Sequence, residues 1–112
     1  MRTIENQTKC PLTFALGIIG GKWKPIIIYN LNKSAKRFGQ LDALIPGISR
    51  KVLTTQLEEL VEDGIIIRTS FAETPPRVEY HLTDRGKELI PLLDLLCKWG
   101  KKGIKKEAEV LA

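Results

Sequence analysis

The chain has 112 residues, enough for one domain with a real but modest core, and its 43% hydrophobic content supports a globular fold. Lys and Arg number 18 against 13 Asp and Glu, a formal +5 that suits a polyanionic partner, although proteins that bind nothing charged also carry mild basic excess. No apolar run nears the roughly 18 residues of a membrane span, and two distant cysteines with one histidine exclude a structural zinc site and a disulfide scaffold.

In chain order, the polar start MRTIENQTK has no apolar signal core, so a cytoplasmic location and no membrane partner are expected. Cys10-Pro11 then precedes the apolar segment Leu12 to Ile19, closed by Gly20-Gly21. Proline suits a first helical position and the glycine pair a stop, which predicts a terminal helix over about 11–19. From Lys22 a second element carries Trp23, Ile26, Ile27, Ile28 and Leu31, with Pro25 tolerable only in a first turn. Periodicity leaves a buried strand open here; the four-residue spacing of Trp23, Ile27 and Leu31 favours a helix. Asn32 to Lys36 reads as a polar loop that has room for a very short strand.

The stretch from Phe38 to Asp63 organises the rest. Leu41, Leu44 and Ile45 form one apolar stripe, Pro46-Gly47 interrupts it, and Leu53, Leu57, Leu60 and Val61 form another. This is a helix-turn-helix pattern. Ser49 is placed to cap the second helix and Asp63-Gly64 to stop it. The apolar set takes one side of that helix and leaves Arg50, Lys51, Thr54, Thr55 and Glu58 on the other. An ordinary helical hairpin with a solvated face fits the charge pattern equally well. The residues after Gly64 tip the balance: Ile65 to Ala72 and Arg77 to Leu82 are strand-like runs around Glu73-Thr74-Pro75-Pro76, which reads as a hairpin. Helix, turn, helix and hairpin is the order of a winged helix, so the fold class is α+β and mainly helical, with a DNA-reading core over about 36–82.

Thr83 is the expected N-cap of a long terminal helix over about 83–110. Leu89, Leu92, Leu93, Leu96 and Trp99 share one stripe, and Pro91 inside it should kink the helix. The stripe exceeds what one subunit covers. It is read as packing against a second copy rather than only closing its own core, because twofold dimers are common and suit palindromic sites. Lysines 98, 101, 102, 105 and 106 share a further face, better read as solvated than as a phosphate contact, with Gly100 and Gly103 weakening the helix.

Cys10-Pro11, Gly20-Gly21-Lys22-Trp23, Arg37-Phe38-x-x-Leu41, Pro46-Gly47-Ile48-Ser49, Lys51-Val52-Leu53-Thr54, Leu57-x-x-Leu60-x-x-Asp63-Gly64, Pro75-Pro76-x-Val78-Glu79-Tyr80 and Leu82-Thr83 together resemble the HxlR-type transcriptional regulators. The combined set is specific and covers nearly the whole chain. The resemblance implies a dimeric winged-helix DNA-binding protein of bacteria or archaea, related in architecture to MarR-type regulators, that binds an inverted-repeat operator. It places the dimer interface on the terminal helices, here Leu12, Leu16, Leu89, Leu92, Leu93, Leu96 and Trp99. It also implies an N-terminal cysteine that in some members senses oxidants or electrophiles such as quinones and aldehydes, the place Cys10 occupies. Arg50 and Thr55 fall on the variable face of the reading helix, and Pro25 is unusual at its place.

On this reading Ser49, Arg50, Lys51, Thr54 and Thr55 enter the major groove, with Arg50 the candidate for a bidentate guanine contact and Lys51 for phosphate. Lys36 and Arg37 are backbone clamps or a solvated loop pair. Arg77, expected at the tip of the wing, is a minor-groove candidate against an exposed turn charge. Cys10 beside a helix start, with Lys9 and Lys22 near in sequence, has reason for a lowered pKa, although a lone cysteine is more often inert. Cys97 is expected in the core, and His81 in a structural or surface role. There is no Gly-rich phosphate loop and no nucleophile with a histidine partner, so no enzyme, cofactor or metal is expected. The competing reading is a winged-helix module that binds protein without DNA.

Overall fold

A computed structural model of the chain describes residues 9–111, so nearly all of the polar start, where no signal core is expected, lies outside the described residues. The elements run α1 (Pro11–Ile19), α2 (Trp23–Asn30), α3 (Phe38–Leu44), α4 (Arg50–Glu62), β1 (Ile66–Phe71), β2 (Arg77–Leu82), α5 (Asp84–Lys87) and α6 (Ile90–Leu111). This is a mainly helical winged helix-turn-helix. Pro11 opens α1, where its missing N–H costs no intrahelical bond, and the Gly20 N–H closes the last turn onto the Leu16 carbonyl at 2.7 Å.

The three isoleucines of α2 separate as helical faces require: Ile27 and Ile28 are fully buried, while Ile26 is 38% exposed. Lys24 of the same helix is also buried, and its Nζ pairs with the Glu59 carboxylate of α4 at 2.5 Å. That ion pair fixes α2 across the back of α4. Sequence reading missed it, because nothing local distinguishes Lys24 from its exposed neighbour Lys22.

The turn between α3 and α4 needs Gly47, whose φ of 84° lies in the left-handed region. At the start of α4 the Ser49 Oγ accepts the Val52 N–H at 3.1 Å, the expected cap. At its end Gly64 takes φ 73°; its N–H bonds to the Val61 carbonyl and the Ile65 N–H to the Leu60 carbonyl. This is a Schellman stop, and Leu60 and Ile65 are both buried beside it. Leu53, Leu57 and Leu60 turn inward with at most 1% exposure, each contributing roughly 1.5–3 kcal/mol by burial. The inner side of α4 is thus committed to the core, which leaves the outer side free.

β1 and β2 pair antiparallel from Ile66 opposite Leu82 to Phe71 opposite Arg77. The short strand allowed for after Asn32 is present as one bridge, in which Lys36 and Tyr80 exchange backbone bonds at 2.9 and 2.8 Å. It ties the start of α3 to the wing. At the wing's other end the Thr83 Oγ1 accepts the Gly86 N–H and donates to the Gly64 carbonyl at 2.7 Å. A Cβ on Gly86 would lie 2.2 Å from the Ile65 carbonyl oxygen, so α5 packs against the strand entry as closely as backbone allows.

Three expectations about the elements need correction. The terminal helix of 83–110 is two helices, because a continuous helix would press the Pro91 ring onto the Lys87 carbonyl; α5 ends at Lys87, and Pro91 falls in the first turn of α6. Gly100 and Gly103, by contrast, lie within an unbroken α6. Leu44 and Val61 are 50% and 36% exposed rather than core, since they lie at the rims of their stripes. Cys97 is exposed, because it lies on the open rim of a groove where α6 runs beside Pro25, Ile26 and Tyr29 of α2.

Candidate nucleic-acid interface

The outer face of α4 presents Ser49, Arg50, Lys51, Thr54 and Thr55 together, all exposed. The Arg50 side chain is 77% exposed, and its Nε stands 3.4 Å from the Asp42 carboxylate of α3. So open a pair contributes little and exchanges readily for another partner. Lys51 projects from the first turn beside it. The Thr54 and Thr55 hydroxyls donate to the Arg50 and Lys51 carbonyls of their own helix at 2.8 and 3.1 Å. Their outward atoms are therefore methyl groups and oxygen lone pairs, suited to a thymine methyl or a base amino group.

Lys36 and Arg37 lead into α3 on the side of the Tyr80 bridge. The Lys36 ammonium folds back onto the Ser34 Oγ at 2.6 Å, whereas the Arg37 guanidinium is exposed and its backbone N–H donates to the Gln40 Oε1 at 2.8 Å. Between α4 and the wing lies a groove of about 310 Å³ lined by Thr54, Glu58, Val61, Arg68 and Tyr80. Arg68 is a cation the sequence reading passed over. The signal was the hairpin register, which sets Arg68 opposite Tyr80 once the 72–76 loop is closed.

Arg77 differs from its expected place at the wing tip. It begins β2, at the base of the loop, with its side chain 28% exposed. Glu73 and Glu79 lie 3.1 and 3.2 Å from its guanidinium, which stacks 4.1 Å above the Phe71 ring centroid. Two carboxylates oppose its charge, and the cross-strand ring holds its plane.

Cys10 is the extended residue before α1 and is exposed. Its thiol pKa is lowered first by a hydrogen bond from the Thr13 side chain, then by the Thr13 and Leu12 backbone amides at the helix start. Lys9 and Lys22 are not among the causes; the Lys22 ammonium lies 4.6 Å from the Trp23 ring centroid instead. His81 is half-buried within β2. Among the described residues no group of three or more His, Cys, Asp or Glu could hold a metal, and no helix is long and apolar enough to cross a membrane.

Elsewhere α1 and α6 leave an apolar face uncovered. Leu12, Leu16, Leu92, Leu96 and Trp99 are 54–77% exposed. Leu93 departs from that set at 4% exposure, because it points at α2 and closes the chain's own core; Leu89 is half-buried against the same core. Leu95, Ile104, Val110 and Leu111 of α6, 62–87% exposed, are further apolar residues that sequence reading overlooked.

A family model described as HxlR-like helix-turn-helix matches residues 18–108. The HTH-type transcriptional regulator YdzF of Bacillus subtilis (strain 168) is 44% identical over 101 residues, covering 89% of this chain and 93% of that protein. The redox regulator HypR in its oxidised form superposes with a TM-score of 0.80 at 42% identity, over 83% of this chain and 96% of that one. The reduced form of the transcriptional regulator YodB from B. subtilis gives a TM-score of 0.73 at 33% identity, over 85% of this chain and 94% of that one.

Proposed function

The chain belongs to the HxlR-like helix-turn-helix family, and on that premise we propose that this transcriptional regulator binds an inverted-repeat DNA operator as a homodimer. The observation that carries the proposal is the outer face of α4. A cation-bearing, exposed first turn stands on a helix whose inner side is locked into the core, the arrangement a groove-reading helix requires. Arg50 releases Asp42 to make a bidentate contact with guanine, and Lys51 neutralises phosphate. Ser49, Thr54 and Thr55 complete the edge contacts. Lys36 and Arg37 hold the backbone ahead of α3, and Arg68 reaches it from the wing. Arg77 keeps the wing in shape and approaches the flanking minor groove only if it gives up Glu73.

Two copies meeting along α1 and α6 present two such helices to successive turns of one duplex. Cys10, with its lowered pKa at the head of α1, is the proposed point at which an oxidant or electrophile acts, and its modification shifts the interface and hence the spacing of the reading helices. Kinship in fold with HypR, named a redox regulator, supports this part.

Selecting bound fragments from the parent genome tests the reading. Enrichment of an inverted repeat with half-sites about 34–36 Å apart supports it. Recovery of fragments without twofold symmetry contradicts the paired reading, and no enrichment at all favours a module that binds protein only.

A further inference from the structure

From Lys101 to Leu111 every residue of α6 is exposed, so half of the helix stands off the body with no core of its own. A free helical segment of that length is marginal in water. The apolar pattern nevertheless continues along it. Leu92, Leu96, Trp99, Gly103, Lys106 and Val110 alternate spacings of four and three and fall within an arc of about 80° at about 100° per residue. That is the seam of paired helices. Trp99 and Val110 on it are 77% and 84% exposed.

Gly103 is the informative position. Its φ is not positive, and a Cβ built there would meet nothing within 4 Å, so the protomer itself has no use for a glycine that weakens the helix. One turn away on the same face stands Trp99, beside a concavity of about 520 Å³ that Gly103 also lines. A bulky knob and a missing side chain on one face are self-complementary, and a twofold axis fills both at once. Nine large apolar side chains of α1 and α6 are at least 54% exposed. Cover on that scale is what a stable dimer supplies, at about 800 Å² per partner.

We propose that α6 pairs antiparallel with α6 of a second copy about an axis at Lys101, seating Trp99 over the partner's Gly103. Leu92 then lies opposite the partner's Val110, and Leu96 opposite the aliphatic stem of the partner's Lys106. Lys102 flanks the axis and carries its charge outward on its long stem. The proposal rests on the homodimer reading and adds its orientation and register.

Paired cysteines in the full chain carrying Cys10→Ser and Cys97→Ser test it. Within one helix positions 92 and 110 are about 27 Å apart, too far for an internal disulfide. Leu92→Cys with Val110→Cys should therefore give a covalent dimer under mild oxidation, and either substitution alone should not. Gly103→Leu should weaken self-association at least tenfold while leaving the protomer folded, whereas Ala108→Leu, on the far side of α6, should not. A protein that sediments as a dimer but forms no 92–110 crosslink, or one that tolerates Gly103→Leu, overturns the register alone. A monomer at every concentration overturns the dimer reading itself.

Discussion

Arg50 concentrates the proposed discrimination because it is the one guanidinium at the start of the reading helix and only a loose 3.4 Å pair restrains it. Arg50→Ala should cost roughly 1–3 kcal/mol on the selected operator and much less on random duplex; equal losses on both would reassign Arg50 to phosphate. Cys10 owes its lowered pKa first to Thr13, so in a Cys97→Ser background its alkylation should reach half-rate below the ordinary thiol value, and Thr13→Val should move that midpoint upward. Tyr29 shows the opposite shift. Its phenol donates to the Asp94 carboxylate at 2.7 Å, and the same carboxylate repels the phenolate, so its pKa is pushed up to about 12. The neutral phenol is the favoured form, and any stabilisation from this α2–α6 contact is fully present below the ordinary value of 10.0 and lost as pH rises through about 12. Absorbance titration should find a tyrosine ionising near 12, returned toward 10.0 by Asp94→Asn.

Among the elements, those with local signals were legible in the sequence. Pro11, Ser49, Gly64 and Thr83 mark their boundaries by chemistry that acts within one turn, and each stands where its element begins or ends. What depended on distant neighbours was not legible. Lys24 is buried because Glu59 meets it, Cys97 is exposed because it falls on the open rim between α6 and α2, and Arg77 is neutralised because pairing with Phe71 folds Glu73 and Glu79 around it. The polar face of α4 was readable for the same local reason as its caps, whereas Arg68 required the hairpin register. Two glycines gauge how tightly the elements join. Gly86→Ala forces a Cβ to 2.2 Å from the Ile65 carbonyl oxygen and should cost about 1–3 kcal/mol in urea denaturation. Gly39→Ala, with nothing within 4 Å of its Cβ and a helical backbone, should instead stabilise by roughly 0.4–1 kcal/mol.

At the scale of the molecule the chain is divided between two surfaces. One carries α4 and the wing, with cations drawn from α4, β1 and the segment before α3; the other carries the apolar faces of α1 and α6. The extents of 54 × 37 × 24 Å reflect the overhang of α6. In the proposed dimer the second surface fixes the distance between two copies of the first, which is why a modification at Cys10 can alter DNA affinity without touching a base contact. Four cations per protomer, Lys36, Arg37, Lys51 and Arg68, are assigned to phosphate. Titrating a duplex that contains the selected repeat at several salt concentrations tests this most directly. About eight phosphates neutralised per dimer should give a log–log slope of about −7, with affinity falling steeply between 50 and 200 mM salt. A slope near zero, or no binding even in dilute buffer, contradicts DNA recognition by this surface.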